Sequence, residues 1–393
     1  MIFLYNIGIR VYGFLIYILS PFHNKVKQLY LGRKIKTTHF SKQDNPILVH
    51  CSSLGEYEQA VPILKKIREL DEKRKIIISF SSPSGYENKK DNYIGDYICY
   101  LPLDTKSKME KFIESLNPEI VLIIKYEFWP NLFLELKRKS IPVYSVSSIF
   151  RNNHYLFKNF GKWNLKIIKD SVTHFFVQDQ ESKKNLQKNN ISNVSVVGDT
   201  RYDRVLEIFE NNKEIELIKI FKGQNKLLVC GSTWPKDIDL ILGLIKRNPR
   251  LKIIIAPHEL IHLQKLNIGL RFSSAKKENI TQNNILIIDS IGLLSSLYKY
   301  GDIAYVGGGF DKGIHNTLEA ICHGIPVIFG PKYKKFIEAN SMVKEGYAKS
   351  ISNEEELTKA FDYFNENPVN LNIKLFCTKN SGATNKIIDF IFS

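Results

Sequence analysis

Two carboxylates sit where apolar, strand-like runs give way to helical patterns. Glu56 lies in ILVHCSSLGEYEQAVPILKKI (residues 47–67), at the joint between a buried run and an amphipathic one. Glu127 lies in IIKYEFWPNL, after a second apolar run. An alcohol is a poor nucleophile until it loses its proton, and a carboxylate within hydrogen-bond reach can take that proton in the transition state. Residue types alone leave a second reading open, because acidic side chains near a helix start also complement the helix dipole. Glu56 and Glu58 both qualify for that role, and Glu127 could instead pair with a cation or cap the helix that begins near Trp129 and Pro130.

A third constellation is YVGGGFDKGIHNTLEA. Gly307, Gly308 and Gly309 follow an apolar run, Gly313 comes next, and Asn316 precedes a helical stretch. Glycines permit close backbone approach to a ligand, and Asn316 could cap a helix whose free N–H groups attract phosphate. A plain tight turn explains the same residues. The run contains neither GxxxxGK[ST] nor a clean GxGxxG, which argues against a P-loop ATPase and a standard dinucleotide site. His315, Cys322 and His323 match no common zinc spacing. Asp237-Ile238-Asp239 spells DxD, yet it opens a predicted helix, where capping is the simpler account.

These loops need elements to hold them. Unbroken apolar or β-branched runs predict strands over 47–51, 75–80, 97–101, 120–124, 143–146, 175–177 and 194–197, and again over 227–230, 252–256, 285–288, 303–306 and 326–329. Runs of that kind, rather than alternating ones, suit parallel strands buried on both faces. Helical patterns such as 58–70 and 106–116 lie between them, so the chain reads as repeated β-α, with two doubly wound halves joined near 198–205. Ligands on such sheets bind beyond the carboxyl ends of the strands, which is where Glu56, Glu127 and the glycine run fall.

At 393 residues, the chain exceeds the usual size of a single hydrophobic core. Its formal net charge of +16 implies an anionic partner. The basic residues are dispersed rather than gathered into a recognition element, so no nucleic acid is expected. Five widely spaced cysteines with no CxxC pair suit a reducing compartment. The start, MIFLYNIGIRVYGFLIYILSPF, is apolar and aromatic but interrupted by Asn6 and Arg10. Its clean run, 11–19, is short of the roughly 20 residues that span a bilayer. No small-residue cleavage site follows it. Lys25, Lys27, Arg33, Lys34 and Lys36 come next, an order that suits a segment lying in the cytoplasmic face of an anionic membrane. The alternative is a helix packed on its own domain.

The motifs SLGEYEQAVP, KYEFWPNL, VVGDTRYDR, CGSTWPKD, APHE and DIAYVGGGFDKGIHNTLEAICHGIPVIFGP occur in the order and approximate spacing of the 3-deoxy-D-manno-octulosonic acid (Kdo) transferases, glycosyltransferase family thirty. The resemblance covers nearly the whole chain. It implies a GT-B α/β fold, two Rossmann-like domains facing across a cleft: a membrane-associating segment 1–36, an acceptor domain 37–200, a nucleotide-sugar domain 201–375, and a C-terminal helix, 376–393, returning to the first domain. It implies CMP-Kdo as donor, a lipid A precursor (lipid IVA) as acceptor, and the anionic inner-membrane surface as a further partner, with the catalytic domains on the cytoplasmic face. No cofactor and no metal are implied, since a nucleoside monophosphate donor has no diphosphate to chelate.

By the same resemblance Glu56 is the general base, and Glu127 stabilises an oxocarbenium-like transition state. Arg201 falls where the family carries lysine and would meet the departing phosphate or the Kdo carboxylate; an ion pair with Asp199 or Asp203 is the alternative. Pro257, His258, Ile291, Gly292, Leu293, Asn316, Thr317, Leu318 and Glu319 would bind CMP, with Ser232, Thr233, Gly308 and Gly309 as further contacts. Two departures stand out: His258 replaces the usual arginine, leaving ring stacking or protonation to act there, and Ile314 interrupts the family's Gly-Gly-His-Asn. The rival readings are a GT-B glycosyltransferase or epimerase using a UDP donor, and a non-catalytic basic membrane- or nucleic-acid-binding protein.

Overall fold

The computed structural model describes residues 1–35, 37–210, 214–259, 268–290, 292–368 and 370–393. Lys36 and Ile291 lie outside the described residues. The chain forms two compact units, one of Met1–Arg204 with Ser381–Ser393, the other of Val205–Asn380. The division falls inside the helix Thr200–Glu210.

The first unit is built on strands β1 (Ile47–Cys51), β2 (Ile76–Phe80), β3 (Tyr97–Tyr100), β4 (Ile120–Ile124), β5 (Val143–Ser148), β6 (His174–Val177) and β7 (Val194–Val196), all parallel, in the order β3-β2-β1-β4-β5-β6-β7. Strand β4 shows why the runs are unbroken. Ile120, Leu122 and Ile124 pack with Ala60, Ile63 and Leu64 of the helix Leu54–Leu70 and with Ile387 of the helix Ala383–Phe392. Val121 and Ile123 point the other way, into Met109, Phe112, Leu132 and Phe133. Both faces are covered, so both sets must be apolar.

The second unit carries β8 (Leu227–Thr233), β9 (Lys252–Pro257), β10 (Leu270–Arg271), β11 (Ile285–Ile287), β12 (Ile303–Val306), β13 (Val327–Phe329) and β14 (Ala348–Ser350), again parallel, in the order β10-β11-β9-β8-β12-β13-β14. Every predicted strand is present. The sequence reading missed only the two sheet edges, β10 and β14, whose two and three residues carry no apolar run. One helix starts earlier than expected: it spans Leu54–Leu70, which puts Glu56 inside its first turn.

In each sheet the strand order reverses between two neighbours, β1 and β4 in the first and β8 and β12 in the second. The connections leaving those strands diverge and open a crevice at their carboxyl ends. Glu56 follows β1, Glu127 follows β4, Ser232 and Thr233 end β8, and Gly307–Gly309 follow β12.

The N-terminal helix Ile2–Leu19 has 18 residues, which at 1.5 Å per residue is about 27 Å. Among the described residues it is the one helix long and apolar enough to cross a membrane. One stripe, with Ile9 and Ile16, is buried on the first unit, while Phe3, Leu4, Ile7, Val11, Phe14 and Ile18 are exposed. Polar contacts fix its start: Tyr5 Oη donates to Asp104 (2.7 Å), and Asn131 Nδ2 donates to Asn6 Oδ1 (2.8 Å).

Candidate active site

In the first unit's crevice the two carboxylates occupy contrasting surroundings. Glu56 accepts a hydrogen bond from the backbone N–H of Ser52. Burial pushes its pKa above the ordinary glutamate value, and the neighbouring charge of Glu127 adds to the rise; the Ser52 hydrogen bond and the charges of Lys125 and His50 only partly offset it.

Glu127 is held by its neighbours instead. Ser81 Oγ donates to its Oε2 at 2.6 Å and Trp129 Nε1 donates at 2.8 Å, while His50 Nε2 lies at 3.4 Å. His50 is fully buried on β1 and is itself oriented by Ser79 Oγ of β2, 2.9 Å from Nδ1. Burial alone would raise the Glu127 pKa; the hydrogen bonds from His50, Ser81 and Trp129, with the charge of His50, outweigh it and bring it down to about 2. All three partners converge on Oε2, and among the described residues Oε1 has no hydrogen-bond partner. The turn that delivers this side chain is strained: Lys125 adopts φ 61°, unusual for a non-glycine residue.

Arg201 joins the same unit, but its guanidinium forks onto Asp199, with Nη2 and Nε at 2.6 and 2.8 Å from Oδ2. Asp199 also accepts from Gln59 Nε2 (3.1 Å) and is 6% exposed. The ion-pair alternative is therefore the contact found. Asp203 is engaged elsewhere, accepting from Thr384. The charge of Lys125 acts on both Glu56 and Asp199, which makes Lys125 the cation common to the two.

The second unit's crevice is lined by aromatic rings. Three rings cluster: Trp234 and His315 lie edge to edge with their planes 7° apart, and His258 stacks against both, its centroid 5.0 Å from Trp234 and 4.2 Å from His315. Trp234 Nε1 donates to His315 Nε2 at 2.9 Å. Burial, then the charge of His258, lowers the His315 pKa to about 4, so this ring is neutral at pH 7. Pro257 ends β9, and His258 beside it is exposed. Ser232 takes φ 51° at a register shift between β8 and β9.

The glycine run is required by the protein around it. A Cβ at Gly307 would lie 2.3 Å from the Ser232 carbonyl oxygen, and one at Gly309 would lie 2.6 Å from the Gly330 backbone. Gly308 takes φ 89°, and its N–H donates to Asp237 Oδ2 at 3.0 Å. Asp237 further accepts from Trp234 N (2.8 Å) and Tyr305 Oη (2.7 Å), so the first aspartate of DxD is a buried cap that ties β12 to the loop after β8.

Asn316 lies one residue before the N-cap, Thr317, and turns the chain into the helix: its Oδ1 accepts from Leu318 N (3.2 Å), and its Nδ2 donates to Glu319 Oε1 (3.0 Å). The helix it precedes is short, Leu318–Cys322. Thr233 and Thr317 are fully buried, and among the described residues their hydroxyls have no hydrogen-bond partner. Gly292 is exposed at φ 94°, and Leu293 caps the helix Leu294–Leu297, whose Ser295 carbonyl lies 3.0 Å from His323 Nε2. That contact ties the 292–297 turn to the 317–323 segment.

The sequence reading missed His50, Ser81, Lys125 and Trp234. A histidine inside the apolar run of β1 was the signal for the first; Trp234 stood in the quoted CGSTWPKD.

Residues 28–204 match the family described as 3-Deoxy-D-manno-octulosonic-acid transferase (kdotransferase). The chain is 29% identical to the 3-deoxy-D-manno-octulosonic acid transferase of Aquifex aeolicus, over 79% of this chain and 83% of that one. It is 27% identical to a bifunctional glycosyltransferase/methyltransferase of Fusobacterium nucleatum, over 87% of this chain but 56% of that protein. Among solved structures, the UDP-GlcNAc 2-epimerase of Neisseria meningitidis superposes with a TM-score of 0.61 at 17% identity, over 88% of this chain and 99% of the other. That likeness, with the two parallel seven-stranded sheets, makes the fold GT-B.

Proposed function

The chain belongs to the Kdo transferase family of glycosyltransferases, and we propose on that premise that it transfers Kdo from CMP-Kdo to a lipid A precursor such as lipid IVA in lipopolysaccharide synthesis. The observation that carries the mechanism is the contrast between the two carboxylates after β1 and β4: three side-chain partners meet Glu127 and hold its pKa down, whereas one backbone N–H meets Glu56 and burial pushes its pKa up. Environments that push two acids apart assign their roles. Glu56, with its raised pKa, takes the proton of the acceptor hydroxyl as that oxygen attacks the anomeric carbon. Glu127 stays ionised throughout and offers Oε1 to the carbon that gains positive charge as its bond to the CMP phosphate breaks. Arg201, committed to Asp199, positions the 198–201 turn, and Lys125 supplies the cation beside the carboxylates.

On the nucleotide side, the cluster of Trp234, His258 and His315 offers a ring surface for cytosine, in the place of the arginine that the family carries at 258. Glu319 would accept from ribose hydroxyls, and the 316–319 segment with Ser232 would meet the phosphate. The exposed apolar stripe of Ile2–Leu19, anchored by Tyr5 and Asn6, supports a helix lying in the cytoplasmic face of the inner membrane.

The test is incubation with CMP-Kdo, generated in situ, and a tetra-acylated, bisphosphorylated disaccharide, followed by mass spectrometry of the lipid. Addition of one or more Kdo residues is the expected result. Thermal stabilisation by UDP and not by CMP, with no lipid product, would replace this reading with a UDP-sugar enzyme.

A further inference from the structure

A cavity of about 470 Å³ opens beside the Glu127 loop, within the range of small-molecule sites. Its walls are the start of the N-terminal helix (Tyr5), the loop 126–130 with Trp129, and the 155–164 segment with Tyr155, Phe160 and Trp163. We propose that this cavity binds one acyl chain of the acceptor lipid, holding the glycolipid by its tail while its sugar reaches Glu56; the inference rests on the reading of the acceptor as a lipid-linked saccharide.

Three observations carry it. First, the walls are mostly aromatic, and three of their polar groups are already engaged, while Glu127, which also lines the cavity, keeps Oε1 without a hydrogen-bond partner among the described residues. Tyr5 Oη donates to Asp104, Trp129 Nε1 donates to Glu127, and Tyr155 Oη accepts from Asn164 Nδ2 at 3.3 Å. A sugar ring would find few free partners for its several hydroxyls there, which is costly, whereas an alkyl chain has no hydroxyls to leave unpaired.

Second, Asn164 lines the cavity at 5% exposure, and its Oδ1 has no hydrogen-bond partner among the described residues. An N–H or O–H near the root of an amide-linked or hydroxylated acyl chain would satisfy it.

Third, the cavity shares its wall with the helix whose outer stripe is exposed and apolar. Phe160 at the lip is 61% exposed and Phe3 on the helix 72%. A lipid leaving a bilayer beside that stripe would meet apolar surface along the way.

The experiment has two arms. In Trp234→Phe protein only Trp129 and Trp163 emit, and a brominated fatty acid below its micelle concentration should quench them saturably. Phe160→Glu, which puts a charge at the lip, should weaken that quenching about tenfold, as expected for loss of one apolar contact. In the kinetic arm Phe160→Glu should raise KM about tenfold for the tetra-acylated acceptor, with kcat within twofold and the fully deacylated acceptor unaffected. Absence of saturable quenching overturns the proposal. An equal effect on both acceptors overturns it in favour of a structural role, and an effect confined to the deacylated acceptor in favour of a sugar occupant. If wild-type protein glycosylates neither acceptor, the Kdo transfer reading fails while the quenching arm still decides what the cavity holds.

Discussion

The two sheets are built to one plan and furnished differently. Each is a seven-stranded parallel sheet whose strand order reverses once, and each presents its loops at that reversal. Each also places a non-glycine residue in left-handed backbone at a loop there, Lys125 after β4 and Ser232 at the end of β8. The first crevice gathers charge: Glu56, Glu127, Lys125, and the Asp199–Arg201 pair. The second gathers a tryptophan, two histidines and hydroxyls, with Glu319 bonded to Asn316 and its one buried aspartate consumed as a cap. The contrast teaches a division of labour. Proton transfer and charge stabilisation need ionisable groups in a partly dry site, whereas gripping a base and a monophosphate needs flat surfaces and donors.

The comparison would break most sharply at Glu56. Glu56→Gln keeps the shape and the capacity to accept from Ser52, but it cannot take a proton. We expect kcat to fall by about 10²–10⁴-fold, the usual share of a general base. Stabilisation by CMP should be unchanged, because the second unit is untouched. Activity of the wild type should fall on acidification at a pH above the ordinary glutamate range, following the raised pKa. A variant that retains kcat within tenfold would return Glu56 to the helix-dipole role.

Much of this plan was legible in the chain. Buried parallel strands write themselves as unbroken apolar runs, so every strand but the two edges could be read, and Glu56 and Glu127 followed from the rule about strand ends. The partners were not legible, because they are made by register and not by proximity in sequence. Strand β1 lies between β2 and β4, which brings His50, Ser81 and Glu127 together across 77 residues. Trp234 meets His315 across 81 residues because β8 and β12 are neighbours. The glycine run suggested a ligand cradle, while the atoms that exclude a Cβ there belong to Ser232 and Gly330. The N-terminal stretch announced its apolar outer face, but its docking by Tyr5 and Asn6 depends on Asp104 and Asn131, which no local pattern marks.

Glu127 gives a second, smaller break, read in stability. Its folded pKa, about 2, lies below the ordinary 4.5, so the stability it contributes is present above the ordinary value and is lost as pH falls toward 2. The shift corresponds to an order of magnitude of about 3 kcal/mol at neutral pH for a side chain that is 18% exposed. Glu127→Gln should therefore be less stable than the wild type at pH 7 by urea unfolding, and the gap should narrow progressively below about pH 5. A gap that stays constant down to pH 3.5 would mean that the network around Oε2 holds shape and not charge.

The smallest expected effect sharpens the other side. If the second crevice binds by ring surface, replacing one ring should cost little and should not depend on charge. His258→Ala removes the ring that stacks against the other two, and we expect CMP affinity to fall about three- to tenfold, the worth of one aromatic contact. His315 is neutral well above its lowered pKa of about 4, so the remaining Trp234–His315 pair should hold unchanged across pH 6 to 8. Calorimetric titration of CMP over that range separates stacking from charge. Wild-type affinity that climbs steadily as pH drops from 8 to 6, and loses the climb in His258→Ala, would show that a protonated His258 does the work of the arginine it replaces, and the second crevice would then share the ionic character of the first.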